Sequence, residues 1–182
     1  MARDNEEFTM IFNEVYPNLC RFLECLMSDR SAAQDIAQES FLRLFNSGRK
    51  SPPAPEARYW LFRAARNLAL NELSRKQTRT RLFGKVVDMF SARMPNPQEQ
   101  FEIKERKHLA LDLIASLPEH QRAALLLREQ EEMSYKEIAL VLNVSESKVK
   151  VDIFRARNSL RDKWKKIENA QLKNLKRSQT IG

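Results

Sequence analysis

With 182 residues, 31% of them charged and a formal net charge of +8, the chain is long enough for one domain or two small ones with real cores. Its three glycines, Gly48, Gly84 and Gly182, exclude a turn-rich β protein and a Gly-rich phosphate loop, and stretches rich in Leu, Ala, Arg, Glu and Lys point to an all-α fold. The start, "MARDNEEF", is charged, and no run approaches the roughly 18 apolar residues of a membrane span, so a soluble intracellular protein without membrane insertion is expected.

Over residues 5–27, Phe8, Ile11, Phe12, Val15, Leu19, Phe22, Leu23 and Leu26 recur at helical spacing and predict one amphipathic helix. Cys20 and Cys25 lie five apart on it, point in different directions and read as reduced structural cysteines. His108 and His120 stand alone and no Cys–His spacing suits zinc, so neither metal nor cofactor is expected. Ser31 followed by Gln34 reads as a capping box that opens a second helix through about Phe45. Asp35, Gln38 and Glu39 share its polar side, either as a solvated face or as an acidic edge that meets a basic protein partner.

The prolines of "NSGRKSPPAPEAR" predict a loop, followed by a third helix from about Glu56 to Lys76. Leu61, Ala65, Leu68, Ala69 and Leu73 make its buried stripe, and Trp60, Arg63, Asn67, Asn71 and Ser74 lie opposite. Amides offer donor and acceptor to a base edge, Arg neutralises phosphate and indole offers a stacking platform, which is the chemistry for holding unpaired bases. Trp60 taken alone reads equally well as a core aromatic. A basic cluster spans Arg58, Arg63, Arg66, Arg75, Lys76, Arg79 and Arg81, opposed only by Glu72.

After Arg81 the periodicity weakens into a linker, "LFGKVVDMFSARMPNPQEQ", and regular helix resumes from near Gln98 to Ala115. Pro118 suits the first position of the helix carrying "EHQRAALLLREQ". Ser134 and Glu137 form a capping box for a short helix burying Ile138, Ala139 and Leu142; "NVS" makes a turn and Ser145 caps a long basic helix. A short helix, a tight turn and a longer basic helix make a helix-turn-helix, whose second helix enters the major groove. Val149, Ile153, Ala156 and Leu160 supply its buried stripe. Opposite them, Lys150 and Arg155 suit phosphate or guanine, and Val151 and Phe154 suit thymine methyls. The alternative for Phe154 is packing on a neighbouring helix or a partner protein. Ser147 and Lys148 are placed for backbone oxygens.

Residues 148–182 hold eleven Lys and Arg against three Asp and Glu, an excess equal to the whole net charge. With the 58–81 cluster this gives two separated basic regions, suited to two contacts with a polyanion. The expected division is a helical domain over 1–80, a flexible linker over 81–97, a helix-turn-helix domain over 98–168 and a frayed basic tail over 169–182.

The stretches "AAQDIAQESFLRLF" and "YWLFRAARNLALNEL" resemble regions 2.1–2.4 of bacterial sigma factors, and "LPEHQRAALLLREQEEMSYKEIALVLNVSESKVKVDIFRARNSLR" resembles region 4. In order and spacing the chain is similar to the extracytoplasmic-function type of the sigma-70 family. The resemblance implies a non-catalytic specificity subunit that directs core RNA polymerase to promoters, region 2 melting and reading the −10 element and region 4 reading the −35 element. It implies that Asp35, Gln38 and Glu39 dock on the clamp helices of the β′ subunit, and that region 4 meets the β flap. It assigns Trp60, Arg63, Arg66, Asn67 and Asn71 to the −10 element, and Ser147, Lys148, Lys150, Val151, Phe154 and Arg155 to the −35 element. It also implies a cytoplasmic protein with an anti-sigma factor as partner, able to hold it at the membrane.

The pattern departs from the family in three places. The loop "SGRKSPPAPEA" has no aromatic residue; Ser147, Val151 and Asp152 replace more usual residues, with Asp152 expected to repel phosphate; and the linker is basic where acidic linkers are usual. The rival reading is a free-standing helix-turn-helix regulator, whose N-terminal half would dimerise or sense a ligand. A nucleic-acid enzyme is disfavoured by the lack of a metal cluster, phosphate loop or nucleophilic triad.

Overall fold

The computed structural model describes residues 2–47, 52–83 and 109–179, all helices and their connections. The helices are α1 (Ala2–Met27), α2 (Arg30–Asn46), α3 (Ala54–Phe83), α4 (109–115), α5 (Glu119–Glu129), α6 (Tyr135–Leu142) and α7 (Glu146–Gln179). The expected linker over 81–97 falls, beyond Phe83, outside the described residues, as does the start of the helix expected near Gln98.

Helices α1, α2 and α3 pack into one bundle. Leu19, Phe22, Leu23 and Leu26 of α1 meet Phe41 and Leu44 of α2 and Leu61 and Phe62 of α3, all buried. The Phe22 and Phe62 rings meet edge-on at 5.3 Å. Buried alanines at 33, 37, 57, 65 and 69 let the three axes approach. Leu68 and Leu73, predicted in the stripe, are half-buried at its margin.

The cap of α2 differs from the prediction. Asp29, not Ser31, is the N-cap; its Oδ1 accepts from the Ala32 N–H at 3.0 Å. Its other oxygen accepts from the Lys76 ammonium at 2.7 Å, tying α2 to α3. The Lys76 bond, followed by that of Ala32, holds the Asp29 carboxyl below its ordinary range. A Ser two residues from an Asp loses the contest because a carboxylate also favours the positive helix start.

The second bundle is α5, α6 and α7, with Leu126, Leu127, Met133, Ile138, Val141, Val149, Ile153 and Ala156 in its core. Pro118 sits one position earlier than predicted, as N-cap of α5. The Ser134–Glu137 box is present in both directions, and Asn143 ends α6 in the left-handed region at φ 54°, which an Asn tolerates better than most residues. Ser145 Oγ accepts from the Lys148 N–H at 3.2 Å, starting α7. Two helices run longer than expected. Helix α3 continues through Phe83, and α7 continues through Gln179, so much of the tail expected to fray is helical.

Candidate nucleic-acid interface

Packing of the second bundle fixes which side of α7 faces out. Val149, Ile153 and Ala156 are buried, so Lys150, Val151, Phe154 and Arg155 stand on the opposite, exposed side. Phe154 is 66% exposed, which excludes the alternative of packing on a neighbouring helix of this chain. Lys150 Nζ lies 5.7 Å from the centre of the Tyr135 ring, and Arg128 covers the same ring at 5.2 Å. Ser147 is exposed at the helix start.

Asp152 corrects the expectation that it would face phosphate. It is buried at 2% exposure on the inner side of α7, where Oδ1 accepts from Lys148 Nζ at 2.5 Å and lies 3.6 Å from His120 Nε2. Its charge is turned away from the exposed side that carries Lys150, Val151, Phe154 and Arg155. Lys148 is therefore exposed but drawn back along the helix, four residues from the acid that holds it.

In the first bundle, Asn67 and Asn71 stand exposed on α3, one turn apart. Trp60 is half-buried against the core, so it combines both readings of the sequence: an indole wedged at the margin with one part open. Arg63 and Arg66 do not project freely. Arg66 makes a two-pronged pair with Glu119 of α5, Nε to Oε1 at 2.8 Å and Nη2 to Oε2 at 2.9 Å. Arg63 Nη2 donates to Asn143 Oδ1 at 3.0 Å.

These bonds belong to a seam between the bundles that the tethered-domain expectation did not contain. Arg58 Nη2 donates to the Glu131 carbonyl at 2.9 Å and its carboxylate at 3.1 Å, with the Glu131 side chain 1% exposed. The Tyr59 hydroxyl donates to Glu137, whose other oxygen accepts from the Ser134 N–H at 2.6 Å within the capping box. The Tyr59 bond, followed by those of Ser134, holds the Glu137 carboxyl below its ordinary range, and the same carboxylate pushes the Tyr59 hydroxyl up. Arg122 reaches across from α5 to the Leu26 carbonyl at 2.6 Å near the end of α1, a site that favours a cation. Burial lowers the pKa of its guanidinium.

The predicted acidic edge of α2 is exposed as expected: Asp35, Gln38 and Glu39 all face out, with Glu39 paired to Arg43 at 2.8 Å. Sequence reasoning missed its neighbours. Leu42 and Phe45 on α2 and Met10 on α1 are exposed, as is Phe12, which the sequence set in the apolar pattern of α1, and the Phe8, Phe12, Tyr16, Phe41 and Phe45 rings form one cluster. The signal was available: Leu42 follows Gln38 by four residues and Phe45 follows Leu42 by three, so both continue the polar side of the helix. Carboxylates bordering open apolar side chains suit a helical protein partner with basic flanks. Among the described residues there is no His, Cys, Asp and Glu grouping able to hold a metal and no helix long and apolar enough to cross a membrane.

Against known proteins, residues 11–79 match the Sigma-70 region 2 family and residues 107–160 match the Sigma-70, region 4 family. The chain is 31% identical over 161 residues to the ECF RNA polymerase sigma factor SigM of Bacillus subtilis, covering 86% of this chain and 92% of that protein. It is 28% identical to SigX of the same organism, covering 86% and 82%. Among solved structures it is similar to the sigma factor RpoE bound to the anti-sigma factor NepR from Bartonella quintana, with a TM-score of 0.72 at 21% identity over 88% of this chain and 98% of that one. It is also similar to CnrH in complex with the cytosolic domain of CnrY, with a TM-score of 0.65 at 20% identity over 87% of each chain.

Proposed function

Because the chain belongs to the ECF sigma factors of RNA polymerase, which direct the enzyme to promoters, we propose how its three exposed faces divide that task. The α2 edge with Asp35, Gln38 and Glu39, bordered by Leu42 and Phe45, docks on the β′ clamp helices of the core enzyme, and the second bundle meets the β flap. On α3, Asn67 and Asn71 read unpaired bases of the −10 element, Trp60 stacks at their margin, and Arg63 and Arg66 neutralise its phosphates. On α7, Lys150, Val151, Phe154 and Arg155 read the −35 element in the major groove, with Ser147 and Lys148 on its backbone. The protein is a non-catalytic subunit acting in the cytoplasm, and an anti-sigma factor is a further partner, as NepR is for the RpoE relative.

The observation that carries this reading is the outward face of α7, where an exposed Phe154 and Val151 sit between Lys150 and Arg155 with no partner in the bundle to account for the apolar pair. Each DNA contact alone is weak and salt-sensitive. Core polymerase, by fixing both bundles at once, raises the effective concentration of each element for its reader. Capture of bases on α3 then offsets the few kcal/mol that unstacking each one costs.

Run-off transcription with purified core polymerase on a randomised promoter library tests the reading. Core enzyme with the protein should initiate at a defined promoter class; initiation no better than core alone overturns it. Asn67→Ala should cut open-complex formation and leave polymerase binding intact, whereas equal loss of both would remove Asn67 from base capture. Tight, specific duplex binding without polymerase would favour the free-standing regulator.

A further inference from the structure

Asp152 is a buried carboxylate on the inner side of the helix assigned to duplex reading, its side chain 3% exposed. A buried charge needs partners, and it has two, from the first turns of two helices. Lys148 of α7 donates to Oδ1 at 2.5 Å, and His120 Nε2 of α5 lies 3.6 Å from the same oxygen. The side chains of Lys148 and His120 are 45% and 48% exposed, so the acid lies inside and both nitrogen-bearing heads stand at the rim above it. Their donors are not used up. An ammonium has three N–H groups, of which Asp152 takes one, and 3.6 Å is too long for a hydrogen bond from the imidazole.

We propose that His120 is a further contact to the DNA backbone at the −35 element, and that Asp152 is the positioning residue that gathers His120 and Lys148 into a two-donor clamp for one phosphate. This deepens the reading of α7 as the −35 reader and rests on it. Lys148 stands three residues before Val151 and seven before Arg155, so its row borders the outward side of the helix. A helix in the major groove is flanked by sugar-phosphate strands, and polar groups beside it fix its register on the duplex. Because both nitrogens approach one carboxylate oxygen, they lie within reach of a single phosphate group. Asp152 reads no base itself, and the two heads screen its charge from the strand. It draws Lys148 back from the bases toward α5, and so ties a backbone grip to the angle at which α7 enters the groove.

The test uses the full chain with core polymerase and a fluorescein-labelled 20-base-pair duplex selected by that holoenzyme from a randomised pool. Binding is measured by anisotropy while methylphosphonate, which is uncharged, replaces one backbone phosphate at a time. His120→Ala should weaken binding about five-fold, the effect of one lost hydrogen bond to a charged group. The unaltered protein should be sensitive at one phosphate to which His120→Ala and Lys148→Ala have both become indifferent. His120→Arg, which keeps a donor at the rim, should restore that sensitivity. In the Asp152→Asn background the cost of His120→Ala should fall below about two-fold, since an imidazole no longer positioned has little left to lose. Even weakening along the whole backbone, separate phosphates for His120 and Lys148, or an undiminished cost in the Asp152→Asn background overturns the proposal. If Asp152→Asn does not fold by circular dichroism, the phosphate pattern of the two rim variants decides alone. Lys150→Ala on the same duplex separates the two ideas. Indifference to it, or a pool that yields no preferred sequence, defeats the reading of α7 together with the clamp; loss with Lys150→Ala and none with His120→Ala defeats the clamp alone.

Discussion

The outward face of α7 and the polar face of α3 are made from the same materials, Lys or Arg beside an aromatic or amide, yet the fold treats them in opposite ways. On α7, Asp152 is turned inward, and Lys150, Val151, Phe154 and Arg155 face solvent. On α3, Glu131 and Glu119 from another part of the chain close over Arg58 and Arg66, and the Asn143 amide takes Arg63. A basic helix is thus a reading surface only where its neighbours' carboxylates point elsewhere. Charge counts along the chain do not distinguish the two cases.

The contrast can be broken most severely from beneath. Phe62 is fully buried, meets Phe22 edge-on and carries the Arg58 guanidinium 6.0 Å from its ring centre. Phe62→Ala should cost about 3–5 kcal/mol in chemical denaturation and unseat α3, while the helix-turn-helix retains its own fold. Loss of both bundles in a single transition at that lower stability would show them to be one cooperative unit. Next in size, Lys150→Ala should weaken binding to a −35-like duplex by about 1–3 kcal/mol if Lys150 contacts a base, and lower the salt slope by about one unit if it contacts a phosphate. Phe154→Ala should relax preference at one base position with no change in salt slope, measured across a duplex library. Unchanged preference removes Phe154 from the reading face.

Asp29→Ala removes an N-cap and its Lys76 partner at once, and should cost about 1 kcal/mol, read as a shift in thermal midpoint. The smallest effect is acid sensitivity of the seam. The Glu137 carboxyl is held below its ordinary range, so its contribution is fully present above that range and is lost as pH falls through the depressed value. Closure followed by scattering should therefore be flat from neutral pH to about 4 and loosen only below it. Loosening between pH 7 and 5 would assign control to another group.

Much of this was legible in the sequence because it is local. The capping box at Ser134 and Glu137 and the alternating burial of Val149, Ile153 and Ala156 against Lys150, Phe154 and Arg155 follow from spacings of three and four residues, and the turn at "NVS" from its composition. The α2 cap went astray because Asp29 and Ser31 compete within one turn, and the winner has a partner at Lys76 that no local pattern reveals. Asp152 was misplaced because the family resemblance set it among the DNA-facing residues, although 100° per residue puts it beside Val149 and Ala156, where Lys148 and His120 make an inward carboxylate tolerable. The seam was wholly unreadable. The partners of α3 across it lie 53 to 80 residues away, and nothing in either segment marks Glu119 as the mate of Arg66 or Asn143 as that of Arg63.

No backbone-to-backbone hydrogen bond crosses from one bundle to the other among the described residues. Every polar tie over the seam begins at a side-chain donor, and Glu137 keeps its Ser134 bond whether or not Tyr59 is present. Parting the two halves would therefore break no hydrogen bond within a helix, so neither would have to be rebuilt on return and the hazards of refolding would not arise.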